Sequence, residues 1–297
     1  MAYIFVVAAG ICWGLICVFT KAISALGFTE MQMLFVKGVL AAGLLFLLIL
    51  GKDRRLFRLK KWTDLRYFIG TGICSFTFFS WCYMKAINLT SLGVAAALLY
   101  TAPTFVMLFS LALFHEKMTR AKGLVLAMTF LGCALVTGIL ESGAAFTGRG
   151  LFIGLCAGIR YALYSIFGTF AIRRGYSSLT ISFYTFLSAA VFMAFCVDPL
   201  EITREITTLG AWPLLVLFAL LTTVVPYLCY TKGLAGLPAS RASVTATIEP
   251  VVAALLGIFV FHESASVIKI VGIALVLGSV ALMGREGQEK DGEEGAE

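Results

Sequence analysis

The chain has 297 residues, 60% of them hydrophobic and only 13% charged, which is half the ionic share of an ordinary globular domain. Too few charges are present to wet the surface of a soluble fold, the apolar richness excludes a fibrous or disordered chain, and the length excludes a disulfide-stapled secreted domain. The net charge of +7 suggests nucleic acid only until it is located. Seven of the 23 basic residues (Lys52, Arg54, Arg55, Arg58, Lys60, Lys61 and Arg66) fall in one loop between long apolar runs, the pattern of a membrane topology determinant.

A helix needs about 20 apolar residues to cross the hydrocarbon, and ten segments qualify along the sequence. The first, 3–21, opens MAYIFVVAAGICWG without a basic leader or a convincing cleavage site, so it reads as a retained span. It carries Trp13 and the pair Gly10 and Gly14, spaced for close helix approach. The second, 31–50, holds Lys37 a third of the way along, on a stem long enough to snorkel. The basic loop follows, and its stretch RRLFRLKKW (54–62) reads either as a short interfacial helix or as a solvated loop. The third span, 67–87, contains Trp81, an interface or packing residue, and Tyr83.

The fourth span, 93–114, contains Tyr100 and, near its middle, Pro103. His115-Glu116 closes it, and Thr119 is placed to cap the fifth, 122–141. The sixth, 150–171, brings Gly154 and Gly158 at helical spacing, then Arg160, Tyr161 and Tyr164. The seventh is 178–197, and a connection over 198–210 leads to the eighth, 211–231, with Pro226 and Tyr227. The ninth, 241–261, holds Glu249 and Pro250 and ends in His262-Glu263. Ser266 is placed to cap the tenth, 266–284. From Arg285 a tail with six of the 16 acids reads as a solvated end. Breaks fall at Gly27, Gly51, Asn88, Gly148, Gly175, Asp198-Pro199 and Gly236-Leu237-Pro238, as turn chemistry predicts. Helices fit these lengths better than barrel strands, which would alternate polar and apolar residues.

The eight cysteines, Cys12, Cys17, Cys74, Cys82, Cys133, Cys156, Cys196 and Cys229, all lie in apolar stretches without metal or disulfide spacing. They read as small buried hydrophobes. With the N-terminus in the cytoplasm, the inner loops and tail would hold 16 basic residues and the outer loops five. That bias places both termini inside.

Sliding the sequence against itself exposes a repeat. At an offset of 147, residues 83–122 fall on 230–269 without a gap: Tyr83 on Tyr230, Lys85 on Lys232, Pro103 on Pro250, Phe114-His115-Glu116 on Phe261-His262-Glu263, Lys122 on Lys269. The only two histidines in the chain are repeat mates. At offset 148 the first span falls on the sixth, Ala9-Gly10-Ile11 on Ala157-Gly158-Ile159. The unit is five spans, 1–143 and 144–284, followed by the tail 285–297. Five is odd, so the second copy enters the bilayer inverted. The expected fold is an all-α polytopic membrane protein of ten transmembrane helices in two inverted repeats around a central cavity. Rocking one repeat against the other gives alternating access.

Trp13-Gly14, the run from Thr90 to Pro103 (TSLGVAAALLYTAP), Glu116, Glu249-Pro250 and Glu263 together resemble the EamA-type branch of the drug/metabolite transporter superfamily over residues 3–284. The resemblance implies a ten-helix carrier in the cytoplasmic membrane, commonly an exporter of amino acids or related metabolites. It also implies a cavity lined by spans such as 1, 3, 4, 6, 8 and 9. One departure is Arg160-Tyr161, where the family commonly has a Trp.

Ionisable groups inside a membrane are costly and usually face a bundle interior or cavity. Arg160, Glu249 and Lys37 are the candidates. Arg160 is expected to meet a carboxylate with its bidentate fork, and Glu249 to hold an amine or a proton; the alternative is a structural Arg160–Glu249 ion pair. Trp13, Tyr83, Tyr100, Tyr161, Tyr164 and Tyr227 offer aromatic faces with polar tips to an amphipathic solute, or they fill packing. Pro103 and Pro250 each remove a backbone donor, freeing the carbonyls of Leu99 and Ala246, and are candidate hinges. His115-Glu116 and His262-Glu263 read as helix-end structure. No Walker loop, HExxH, CxxC or GxSxG occurs, so neither ATP nor a cofactor or metal is expected.

The expected function is secondary-active transport of a small-molecule solute, with possible proton coupling, by a monomer or homodimer in the lipid bilayer. An intramembrane enzyme and a non-transporting sensor or scaffold stay open as alternatives.

Overall fold

Backbone in lipid must satisfy its own hydrogen bonds, and an α-helix does so within one segment. The computed structural model of the protein describes residues 1–139 and 147–294, and these are helical apart from turns and short connections. The expected repeat boundary at 143/144 and residues 295–297 of the tail lie outside the described residues. In chain order the helices are α1 (Ala2–Ser24), α2 (Glu30–Lys52), α3 (65–89), α4 (Leu92–Phe114) and α5 (Arg120–Val136). After them come α6 (Gly148–Arg173), α7 (Ser178–Met193), α8 (Pro199–Leu209), α9 (Trp212–Leu234), α10 (Ala239–Phe259) and α11 (Val267–Glu294).

Seven of these are long and apolar enough to cross a membrane: α1, α2, α4, α6, α9, α10 and α11 over Val267–Glu286. Ten were expected. The difference lies in α3, α5 and α7; α5 has 17 residues and α7 only 16, ending at Met193. That early end leaves Cys196 exposed, whereas Cys82 and Cys133 are buried; all eight cysteines are free.

Three further expectations are corrected. The 198–210 connection is a helix, α8. The Asp198 carboxylate accepts from the amides of Leu200 and Glu201 to start it, and Gly210, at φ +62°, stops it. Ile202 and Ile206, four residues apart, enter the core between α2, α7 and α9. The tail is not wholly solvated from its start: α11 runs on to Glu294, and Glu286 is buried and accepts a 2.7 Å hydrogen bond from Thr119. Residues 54–62 form neither alternative in pure form. A 3₁₀ turn at Arg54–Phe57 and another starting at Trp62 flank an extended stretch.

Between helices in lipid there is little hydrophobic drive, so small residues and hydrogen bonds hold them together. α1 lies along the second half of α9 and on α10, while α6 lies along the second half of α3 and on α4. α2 pairs with α7, and α5 with α11. At the last of these contacts a Cβ on Gly132 would stand 3.0 Å from the Gly272 carbonyl oxygen, and the Thr129 hydroxyl donates to Ser279 at 2.9 Å.

The two histidines are accounted for by backbone geometry. His115 and His262 sit in the left-handed region at φ 57° and 56°, which His tolerates better than most residues. The following amide of Glu116 closes on the Ser110 carbonyl (3.2 Å), and that of Glu263 on the Gly257 carbonyl (3.0 Å), a left-handed helix stop one residue wider than the Schellman form. Thr119 and Ser266 then cap α5 and α11 through the amides of Lys122 and Lys269.

Candidate functional site

The centre of the protein is organised by two interrupted helices. α4 divides into Leu92–Leu99 and Ala102–Phe114, and α10 into Ala239–Thr245 and Ile248–Phe259. Pro103 and Pro250 explain the position of each break. Lacking an N–H, they cannot continue a helix but fit the first turn of a new one. The chain tightens at both turns: the Thr101 amide bonds Leu98 O at 3.2 Å, and the Glu249 amide bonds Ala246 O at 3.1 Å. The Ala246 carbonyl expected to be freed by Pro250 therefore accepts from the Glu249 amide, three residues on. A full interruption replaces the kink expected from sequence.

α1 and α6 cross these interruptions at close range. Gly158 faces the first: a Cβ there would stand 2.6 Å from Thr101 Oγ1 and 2.8 Å from Leu98 O. Gly10 faces the second, against Ile248 and the Ala246 carbonyl, and a Cβ on Gly14 would stand 2.6 Å from Val252 and 3.0 Å from Glu249 O. α3 and α9 each carry a wide π turn, at Gly70–Thr77 and Leu220–Val224. Turns of that kind often mark functional sites. Pro226 follows the second.

Where the helices converge lie two adjoining clefts. One is lined by Tyr100, Pro103, Val106, Tyr161, Ser165, Tyr230, Ser243 and Glu249 among others. Its neighbour is lined by Trp13, Ser75, Phe79, Tyr161, Tyr164, Ser165, Tyr227 and Tyr230. Rings fill most of this space, leaving open room for roughly one water molecule. Trp13 meets Tyr227 and Tyr230 edge-on or tilted, each at 5.3 Å, and Tyr161 at 6.5 Å; Tyr164 meets Tyr227 at 4.9 Å. Tyr83 stacks on Phe79, 5.9 Å away. The phenols are tethered: Tyr164 to Thr231 and Tyr230 to Ser165, both at 2.7 Å.

Glu249 is the acid of the site. It lies in the first turn of the second half of α10, where a carboxylate is favoured by the helix dipole. The Tyr161 hydroxyl donates to its Oε2 at 3.3 Å, and Tyr100 reaches the same carboxylate. The cation acting on it is Lys37, whose Nζ lies 5.3 Å from the Phe76 ring and 5.8 Å from Phe218. Arg160 faces elsewhere. Its guanidinium lies over Phe78 at 4.9 Å and donates to the Cys74 carbonyl at 3.4 Å, on the α3 side of α6. The Arg160–Glu249 ion pair does not form.

A model of the EamA-like transporter family matches residues 1–138 and 148–285. The chain belongs to that family. An uncharacterized transporter of Archaeoglobus fulgidus is 29% identical over 217 residues, spanning 72% of this chain and 76% of the relative. A protein named threonine/homoserine exporter RhtA, from Salmonella typhimurium, is 28% identical over 258 residues, spanning 84% and 82%. A crystal structure superposes with a TM-score of 0.78 at 18% identity, covering 95% of both chains, a likeness of fold alone. With its apolar helices, this member of the EamA-like family is a multi-pass membrane transporter.

Of the residues expected to bind a solute, Trp13, Tyr100, Tyr161, Tyr164, Tyr227 and Glu249 line the clefts. Tyr83 adjoins them through Phe79, Lys37 approaches through its charge, and Arg160 stands apart. Tyr230 and Ser165 were missed. Tyr230 was visible as the repeat mate of Tyr83; Ser165 carries no sequence signal beyond lying one residue after Tyr164.

Proposed function

We propose that the chain is a secondary-active carrier that exports amino acids or similar amphipathic solutes by alternating access between two inverted repeats of five spans. The observation that carries this reading is the Glu249 carboxylate, held by Tyr161 at the first turn of a half-helix and walled by aromatic rings. Discontinuous helices meeting at the interface of two repeats suit a solute site. Rings beside a carboxylate suit a solute with an ammonium group and an apolar body. The exporter named RhtA supports amino acids as the cargo class.

Several paired features support the inverted repeat, with halves near 1–143 and 144–284 and the tail after them. Gly158 on the 98–101 turn mirrors Gly10 on the 246–248 turn. The two interruptions, the two π turns, the two histidine stops and the ion pairs Glu116–Lys122 and Glu263–Lys269 are likewise mates. On this reading α3, α5 and α7 complete ten spans, and the basic bias puts both termini in the cytoplasm. Glu249 exchanges between a proton and the solute's amine, and Pro103 and Pro250 mark the hinges. Lys37, whose charge acts on Glu249, is the candidate cation for a solute carboxylate; Arg160 would need α3 and α6 to part before it could take that role.

The experiment is counterflow of radiolabelled amino acids in proteoliposomes. Wild type should exchange label, Glu249→Gln should lose most of the flux and change its pH dependence, and Tyr161→Phe should weaken it. Undiminished flux with the wild-type pH profile in Glu249→Gln would remove Glu249 from the site. A chemically altered solute would favour an intramembrane enzyme. No exchange by wild type across amino acids, polyamines and quaternary amines would favour a sensor or scaffold.

A further inference from the structure

We infer that the basic end of α3 and α6 forms a binding site for the phosphodiester headgroup of an anionic phospholipid, built on Arg66, Arg174 and Tyr67. The Arg66 guanidinium donates from Nη2 to the Tyr67 hydroxyl at 2.9 Å and lies 4.9 Å from its ring. Arg174, from the end of α6, comes to bear on the same hydroxyl. Two cationic forks thus converge on one neutral oxygen, and an anion seated there would offset their charge. Arg66 and Arg174 are exposed, whereas Tyr67 is buried and stacked on Phe170 at 5.8 Å, so the oxygen between them is fixed.

The charges around this point are not balanced locally. Lys60 adds its charge through the Arg174 carbonyl; Arg58, Lys61 and Arg173 are its and Arg174's near neighbours along the chain, with Arg173 over the Phe114 ring at 4.4 Å. The neighbouring acid, Asp64, is buried and accepts from the Tyr176 hydroxyl at 2.8 Å. None of the six cations has an ion-pair partner among the described residues. The platform is also held in shape. The Lys60 amide donates to the Tyr176 hydroxyl (2.7 Å), Lys60 Nζ to the Arg174 carbonyl (2.8 Å), Thr180 to the Leu56 carbonyl (3.0 Å), and Tyr184 to the Phe57 carbonyl (2.6 Å). A loop pinned at four points presents its charges as a built surface.

A lipid is favoured over free phosphate by what lies alongside. Trp62 is 84% exposed beside the cluster, as expected of a ring seated in the headgroup layer. One turn below Arg66 on α3, Ile69 is exposed, the start of a track for an acyl chain. Guanidinium forks match phosphate oxygens in pairs, and basic residues at a membrane surface each add attraction for anionic lipid.

The test uses the full chain in detergent, with retention of added lipid read by native mass spectrometry. Phosphatidylglycerol should be retained roughly tenfold or more over phosphatidylcholine, and Arg66→Gln/Arg174→Gln should lose that preference while Arg54→Gln/Arg55→Gln, outside the cluster, keeps it. Equal retention of the two lipids, or an unchanged preference in Arg66→Gln/Arg174→Gln, overturns the proposal. Displacement of phosphatidylglycerol by millimolar inorganic phosphate also overturns it, in favour of a free-anion site. Should the double variant fail to fold, wild type still decides. Brominated phosphatidylglycerol should quench tryptophan fluorescence more than brominated phosphatidylcholine, with the excess absent in Trp62→Phe; equal quenching refutes the site.

Discussion

The ion pairs Glu116–Lys122 and Glu263–Lys269 have the same sequence origin and different surroundings, so removing each acid should have different consequences. Lys122 and Glu116 side chains are 5% and 13% exposed and 3.4 Å apart; Glu116 also accepts from the Ser240 hydroxyl of α10. In Glu116→Ala the Lys122 ammonium keeps, among the described residues, the Lys117 carbonyl at 3.1 Å, and Ser240 loses the Glu116 acceptor. Removing one member of a buried pair costs about 3–5 kcal/mol. The remaining carbonyl places the expected loss near the lower end, about 3 kcal/mol, or on the order of a hundredfold in the folded-to-unfolded ratio. At the mate, Lys269 and Glu263 are 15% and 53% exposed, and Glu263→Ala should cost about 0–1 kcal/mol.

The assay is reversible unfolding in mixed micelles by titration with a denaturing detergent, followed by tryptophan fluorescence. Adding Lys122→Met to Glu116→Ala removes the stranded charge and should recover at least about 1 kcal/mol. Equal losses for Glu116→Ala and Glu263→Ala, or no recovery in the double variant, would refute this account of the buried pair.

Two further outcomes are expected. In proteoliposome exchange, Lys37→Gln should reduce flux more than Arg160→Gln, because Lys37 acts on Glu249 while Arg160 lies against Phe78; the opposite order would return the solute carboxylate to Arg160. Burial, and next the hydrogen bond to Asp64, raise the Tyr176 phenol above its ordinary value. The stability it contributes is whole below the unfolded phenol's pKa of about 10 and is lost as pH rises through the raised folded value. Tyr176→Phe should therefore show a shallower alkaline loss of stability than wild type, and an identical alkaline limb would argue against the linkage.

Much of the architecture could be read from residue patterns because lipid leaves a chain few choices. Apolar runs located the long helices, Pro103 and Pro250 located the interruptions, and matched His-Glu pairs gave the equivalent helix ends. α8 was overlooked because its polar residues fail a span test, although Asp198 and the Ile202–Ile206 spacing announce a short amphipathic helix. The partner of Glu249 was not legible. Arg160 and Lys37 both fall within apolar runs, and which of them turns toward α10 depends on rotation about a helix axis. Sequence spacing fixes that rotation within one helix and not between helices.

The π turns in α3 and α9 have a consequence for angular phase. Each residue advances an α-helix by about 100°, and a π turn absorbs an extra residue without lengthening the hydrophobic run. Deleting one residue from 70–77 or 220–224 would let that turn close as ordinary α-helix with little change of face beyond it, whereas a deletion in the α-helical stretch that follows would swing everything beyond it by about that angle. Phe79 and Tyr83 in α3, and Tyr227 and Tyr230 in α9, keep their faces to the cleft because the wide turn before them takes up the extra residue. The spare residue in each helix is slack in the winding, and the aromatic wall keeps its aim across it.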